Sequence, residues 1–382
     1  MKIRTVTTGI HLSSGKDISA IERAAAFNRT AASFFQSEGY DVQTIRVATN
    51  SWEEYINTDS EDEAVKTIVE IERVAKKCEL SFFNIGRTMK SESIKMLPAI
   101  NKATSIISCS AHLGSFNTGI LFENAREAAQ TMKRIGNETE NGYGNFRFCA
   151  SANCSGGIPY FPTGFHEGKE SIFGLGFECG DIAFNAFSET KDLQAAKRLF
   201  HDRFLSEAKK VEKLAEVLSK KEGIRYNGID VSLNPGLLTE ESIAFAFENI
   251  GLGTFGKPGT LTVAGMITDV LKNLEVKRCG YSGLMLPVCE DAGLAERANE
   301  GAYNISNLLL YSAVCGCGLD VVPIPGNTNI ESIEAILLDT ATLAIKLNKP
   351  LSVRMLLVPG KKVGECTTFN SPYMVESNLM DV

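Results

Sequence analysis

Short apolar runs alternate with longer segments of helical period along most of this chain. Lys2 to Gly9 alternates at period two and predicts a first strand, and Asp17 to Phe35 predicts a helix that Gly39 ends. Further strands are predicted at Val42–Ala48, Leu80–Ile85, Ser105–Ser110 and Phe146–Ala150. Helical patterns separate them, at Ser60–Cys78, Glu92–Ile100 and Asn117–Ile135. The second half repeats the theme with strands at Ser171–Phe177, Gly228–Leu233, Leu284–Val288, Asp320–Ile324 and Ser352–Val358. Helices are predicted after Asp181 through Lys220, at Glu240–Ile250, at Thr260–Asn273 and at Ile330–Leu347. Strands separated by helical crossovers favour parallel pairing. With no internal repeat or linker, the pattern predicts one α/β domain over residues 1–382, of about ten strands, closed or nearly closed. An open doubly wound sheet fits nearly as well.

One segment interrupts the alternation. Residues 151–170, SANCSGGIPYFPTGFHEGKE, combine Gly156, Gly157, Gly164 and two prolines, which suit no regular element. Long loops within compact domains are usually functional or mobile. Ser151, Asn153, Cys154, Tyr160 and His166 add polar and nucleophilic groups, so the loop is expected to line a site, as a lid closing over it, with a structural Ω-like loop as the alternative.

Composition removes several classes of function. The 382 residues are 44% hydrophobic and 22% charged, with a net charge of -7. No basic run or patch motif appears, which argues against nucleic acid as a partner. No apolar run reaches the ~20 residues of a membrane span, and MKIRTVTTGI lacks a secretory signal, so a cytoplasmic protein is expected. Ten cysteines lie mostly in apolar strand contexts without disulfide-framework or zinc-ligand spacing, and reduced buried thiols are the simpler reading. Gly251-Leu-Gly253-Thr-Phe-Gly256 follows a helix rather than a strand, so it reads as a helix–helix connection, and no nucleotide cofactor is expected.

Candidate chemistry gathers at predicted strand ends, where α/β folds place ligands. Glu290 and Asp291 follow the strand Leu284–Val288, and Glu178 and Asp181 follow Ser171–Phe177. Convergence of these four carboxylates would suit Mg²⁺, Mn²⁺ or Ca²⁺, or would tune one carboxyl for acid–base work. Helix N-terminal capping is their simpler role. Pro325-Gly326-Asn327 before a helix, with Thr328 and Glu331 as a capping box, offers backbone amides to an anion. Ser282 and Asp320 flank this central stretch as ligand-binding candidates with Tyr160 and Asn153. Cys315-Gly316-Cys317 offers two thiols with no base or positive partner visible nearby.

At GYSGLMLPVCEDAG, GLDVVPIPG and VRMLLVPGKKVGE the chain resembles the domain-of-unknown-function family 711. The resemblance implies a ten-stranded α/β barrel, since that family is grouped with the glycyl radical enzymes of the pyruvate formate-lyase type. It implies no catalytic residue. The glycyl radical segment itself has no counterpart here, because Val353-Arg354-Met355-Leu356 lacks the required glycine and tyrosine. The leading expectation is an enzyme acting on a small anionic metabolite. Glu290, Asp291, Glu178, His166 and Cys317 are its catalytic candidates. A metabolite-binding or sensory protein is the alternative, and thiol or radical chemistry at Cys315 and Cys317 is a lesser one. The partner is a small molecule, and homo-oligomeric assembly is left open.

Overall fold

A computed structural model describes all residues 1–382. Its strands are β1 (Lys2–Ile10), β2 (Val42–Thr49), β3 (Phe82–Thr88), β4 (Ile107–His112), β5 (Gly114–Ser115), β6 (Gly119–Ile120), β7 (Phe148–Ala152), β8 (Ile172–Glu178), β9 (Arg225–Asp230), β10 (Gly318–Pro325) and β11 (Leu351–Val358). Nine of them form a single sheet in the order β10-β11-β7-β4-β3-β2-β1-β8-β9, accompanied by twelve α-helices, while β5 and β6 form a separate pair. The fold is mixed α/β with a large, mainly parallel sheet.

Only two junctions are antiparallel, β1 with β8 and β11 with β7. The sheet is therefore a central parallel block, β7-β4-β3-β2-β1, flanked by two parallel pairs that run the opposite way, β10-β11 on one edge and β8-β9 on the other. The predicted strand at Leu284–Val288 is not a regular strand. Its residues make isolated bridges, Leu233 with Leu284 and Pro287 with Asp320, and a short 3₁₀ turn takes Val288–Glu290. Ile229 bridges Arg278 in the same way. Residues 278–287 thus touch both edge strands, following β9 on one side and β10 on the other.

Strands buried on both faces explain the near-continuous apolar runs, and every residue of β4, β8 and β11 is buried. Helix ends follow local chemistry. Ser60 caps Glu61–Lys77, which opens with three acidic residues and closes with Lys76 and Lys77, matching the helix dipole. Asp192 caps the thirty-residue helix Leu193–Glu222, and Gly223 ends it in the left-handed region that glycine enters without strain. The box expected at Thr328 and Glu331 does not form. The helix begins at Ile330 with Asn329 accepting from Ser332 N, while the Thr328 hydroxyl donates to Pro325 O. No helix is long and apolar enough to cross a membrane.

The middle of the segment expected to act as a lid, residues 158–166, packs inside, while Ser155 and residues 167–170 are exposed. Ile158, Tyr160, Thr163, Phe165 and His166 are buried. The Thr7 hydroxyl donates to Pro159 O at 2.8 Å, Asn84 Nδ2 to Pro162 O at 2.7 Å and Tyr160 Oη to Phe177 O at 2.8 Å. Strands β1, β3 and β8 hold this connection between β7 and β8 against the face that carries the cavity. Its glycines serve close approach rather than motion: a Cβ at Gly164 would lie 2.5 Å from Ile158 O.

Candidate functional site

Several strands carry a cation or a carboxylate near the end of their apolar runs, and these side chains meet on one face. Arg4 of β1 donates to Glu178 at 2.7 Å and to Glu290 at 2.6 Å. Arg354 of β11 donates to Glu290 at 2.9 Å and to Asp320 of β10 at 2.6 Å. Lys2 links Glu178 at 2.9 Å to Glu241 at 2.7 Å. The result is an unbroken chain of alternating charge from Glu241 to Asp320. Charge-assisted bonds of this kind make up for desolvation when each partner is satisfied. Burial alone would lower the pKa of Arg4, but Glu290 and Glu178 outweigh it and hold the pKa above its ordinary value. Burial likewise opposes ionisation of Glu178, yet Arg4 and Lys2 keep its carboxyl below the usual range.

Arg46, in the middle of β2, stands beside this network without joining it. It is only 8% exposed and makes no ion pair; its one hydrogen bond runs from Nε to Thr44 Oγ1 at 3.0 Å. Phe82 and Phe161 sit 5.3 and 5.5 Å from its guanidinium carbon. Burial, then repulsion from Arg4, pushes its pKa down to about 9. A guanidinium does not give up its proton in proteins, so this strain is a cost carried by the folded chain. A buried charge without a counter-charge is rare and expensive.

These groups line a partly open cavity whose space, open solvent included, is about 680 Å³. Arg4, Arg46, Glu290, Asp320 and Arg354 supply the charge, and Phe82, Phe146, Phe161, Tyr160 and Met285 supply apolar wall. Asp320 uses Oδ1 for Arg354, and its second oxygen has no protein partner. The Asn234 side chain, also in the wall, has no hydrogen-bond partner either. A hydroxyl cluster completes the lining. Tyr281 Oη donates to Thr163 Oγ1 at 2.7 Å and lies 2.8 Å from Ser352 Oγ, and the Cys149 thiol is 3.2 Å from Thr163. Burial pushes the Cys149 thiol up to about 12, and burial with Cys315 and Asp320 raises Cys317 further, so neither is a thiolate at neutral pH.

Over Phe82 and Phe146 lies an irregular strap near the chain's carboxyl end. Tyr373 stacks on Phe146 at 6.0 Å and tilts on Phe82 at 5.9 Å, and it is 38% exposed. Val375 N donating to Cys289 O at 2.7 Å, the Tyr143–Ser371 hydroxyl bond at 2.9 Å and a bridge between Cys366 and Asn378 tie the strap down.

Of the residues singled out from sequence, Glu290, Asp320, Tyr160 and Cys317 line the cavity, with Glu178 behind Arg4. The others lie elsewhere. Asp291 is a buried helix cap, accepting from Ser242 Oγ at 2.5 Å and from the amides of Ile243, Gly293 and Leu294. Asp181 opens the helix Gly180–Ser188 and binds the Met1 amino group, so it shares no helix face with Glu178, which ends β8. His166 is buried with neither ring nitrogen hydrogen-bonded, but it does not line the cavity. Asn153 spends its amide on Phe116 N and Asn348, and Ser282 donates to Cys279 O. Gly326 and Asn327 form the turn after β10, where Gly326 packs on Pro359. The carboxylates proposed for a cation do not converge: the Arg4 guanidinium separates Glu178 from Glu290, and no group of three His, Cys, Asp or Glu side chains is placed to hold a metal. Cys315 and Cys317 are buried, and all ten cysteines are free thiols.

The family model described as "Uncharacterised ACR (DUF711)" matches residues 1–370. The chain belongs to this family. A UPF0210 protein of Bifidobacterium adolescentis is 29% identical over 81% of this chain and 72% of its own length. UPF0210 proteins of Ligilactobacillus salivarius and Listeria monocytogenes are 30% and 27% identical, each over 72% of this chain and 63% of their own length. The chain thus spans less than two thirds of the latter two family members. The GYSGLMLPVCEDAG and VRMLLVPG stretches of this chain bring Tyr281, Met285, Glu290 and Arg354 to the cavity wall.

Proposed function

We propose that the cavity is the active site of an enzyme that takes a small organic anion, with Arg46 holding the anionic group. The observation that carries this reading is the missing partner of Arg46. Lys2, Arg4 and Arg354 are matched by carboxylate, and Arg147, also in the wall, is satisfied by the carbonyls of Asn101, Thr104 and Ile107, whereas Arg46 has a single hydroxyl acceptor and lies between two phenyl rings. Asp320 is the acid–base group: Arg354 holds one oxygen and orients it, and the other is free to exchange a proton with a bound ligand. Glu290 and Arg4 position rather than react, because both Glu290 oxygens are already bonded to guanidinium.

The same reading makes the sheet a ten-stranded barrel. Residues 278–287, bridged to β9 and β10, would serve as the tenth, irregular strand, and the antiparallel junctions would join two five-stranded halves around the inner segment 153–170. Tyr373 would then cover the mouth, and its motion would admit the ligand. A second reading, a binding protein without chemistry, draws on the neutralisation of Glu178 and Glu290 by cations.

A thermal-stability screen of small carboxylates and phosphates tests the reading, since a ligand bound only by the folded state raises its melting temperature. Stabilisation by organic anions that Arg46→Met abolishes is expected. Turnover of a stabilising anion should then fall by about 10²–10⁴-fold in Asp320→Asn. Ligand binding without turnover of any candidate would leave the sensor reading. Stabilisation unchanged in Arg46→Met would remove the site.

A further inference from the structure

We infer that the ligand of this cavity is a monocarboxylate with an apolar body and a hydroxyl group, the carboxylate on Arg46 and the hydroxyl on Asp320. This rests on the reading of the cavity as an organic-anion site and specifies its substrate class.

Charge balance selects the anion. The cavity wall and its attached ion-pair chain contain five cations, Lys2, Arg4, Arg46, Arg147 and Arg354. Four carboxylates stand against them, Glu178, Glu241, Glu290 and Asp320. The surplus is a single positive charge. A monoanion cancels it, whereas a phosphate monoester near its dianionic form would leave the buried site net negative beside Asp320. Uncompensated buried charge of either sign is penalised. Arg46 also meets the ligand through the planar fork of one guanidinium, which matches the two coplanar oxygens of a carboxylate.

The second group follows from Asp320. Its unpartnered oxygen lines the same cavity and can only accept, so the ligand must offer a donor there. A hydroxyl does so without adding charge. An ammonium would restore the surplus that the carboxylate had just removed. The Asn234 amide in the same wall can hold the hydroxyl oxygen. The body of the ligand meets Phe82, Phe146, Phe161 and Met285, a wall too apolar for a second ionic group.

Three probes that share a phenyl ring separate these demands: mandelate carries carboxylate and hydroxyl, phenylacetate lacks the hydroxyl, and phenyl phosphate is the dianionic counterpart. Calorimetric titration of the full chain at neutral pH should show mandelate bound at least tenfold more tightly than either of the others. Asp320→Asn should bring mandelate close to phenylacetate, and Arg46→Met should abolish both, with Arg46→Lys as the charge-retaining control for folding. Phenyl phosphate bound as tightly as mandelate, or mandelate no better than phenylacetate, would overturn the substrate class, while the loss of binding in Arg46→Met would still uphold the anion site. Binding that survives Arg46→Met, or no binding of any probe by wild-type chain, would overturn both.

Discussion

Arg354 and Arg46 are the same side chain at nearly the same depth, yet they meet opposite fates. Arg354 donates to Glu290 and Asp320, and its pKa rises above the ordinary value despite burial because both carboxylates favour the charged form. Arg46 has a threonine hydroxyl and two phenyl rings, and its pKa falls. Burial costs each of them comparably; the carboxylates decide which is at rest. On the proposed reading, the unpaired neighbour is kept for a ligand, which would supply the counter-charge that the fold does not.

The sharpest way to break this contrast is to remove the shared carboxylate. Glu290→Gln takes one partner from Arg4 and one from Arg354 at once, leaving both in part like Arg46. The expected cost is about 3–5 kcal/mol in denaturant unfolding, the usual penalty for an uncompensated buried charge. A loss below about 1 kcal/mol would mean that the network is solvated rather than buried.

Acid should dissolve the paired side of the comparison. The Glu178 carboxyl lies below its ordinary 4.5, so its stabilisation is present above that value and is lost as pH falls through the folded pKa. His112 acts earlier. Burial, with Arg87, lowers it from 6.5 to about 4, so between those values the unfolded chain binds a proton that the folded chain does not. Stability should therefore decline from about pH 6.5 downward, by up to ~3 kcal/mol from His112 alone. Equilibrium unfolding of His112→Asn across this range should show a flatter decline down to about pH 4, with the Glu178 loss unchanged below it.

The smallest effect belongs to the strap. Tyr373→Ala removes two aromatic contacts of a half-exposed ring and should cost only about 1 kcal/mol. Dissociation of a cavity ligand, followed by stopped flow, should nevertheless become faster than in wild type. Unchanged rates would mean that the ligand enters elsewhere.

Much of this architecture is legible in the sequence, because parallel strands buried on both faces write themselves as apolar runs between helical segments. What resists reading is long-range. Leu284–Val288 looks like a strand in sequence, but Ser282 in the left-handed region just before it and the turn at Val288–Glu290 allow only isolated bridges. The loop at 151–170 looks mobile by its glycines, and only the folded chain reveals that Gly156 and Gly164 let it pack on itself and Gly157 lets it pass close to Asn227 of β9. At the site, attention to carboxylates at strand ends found Glu178, Glu290 and Asp320, but also Asp181 and Asp291, whose partners are a chain terminus and a helix start. The arginines went unread although a signal existed. Arg4 in KIRTV, Arg46 in QTIRVAT and Arg354 in SVRMLLV are charges inside predicted strands, and a charge that such a strand buries must find a partner or a ligand.

Arg46→Met tests the central claim most directly, measured as denaturant stability with and without saturating mandelate. Removing an unpaired buried charge that Arg4 repels should stabilise the ligand-free chain by about 1–3 kcal/mol, and mandelate should add nothing. Wild type should start lower and gain with mandelate as RT ln(1 + [L]/Kd) requires. A variant less stable than wild type in the absence of ligand, or one that mandelate still stabilises, would contradict the claim that Arg46 is held unpaired for an anion.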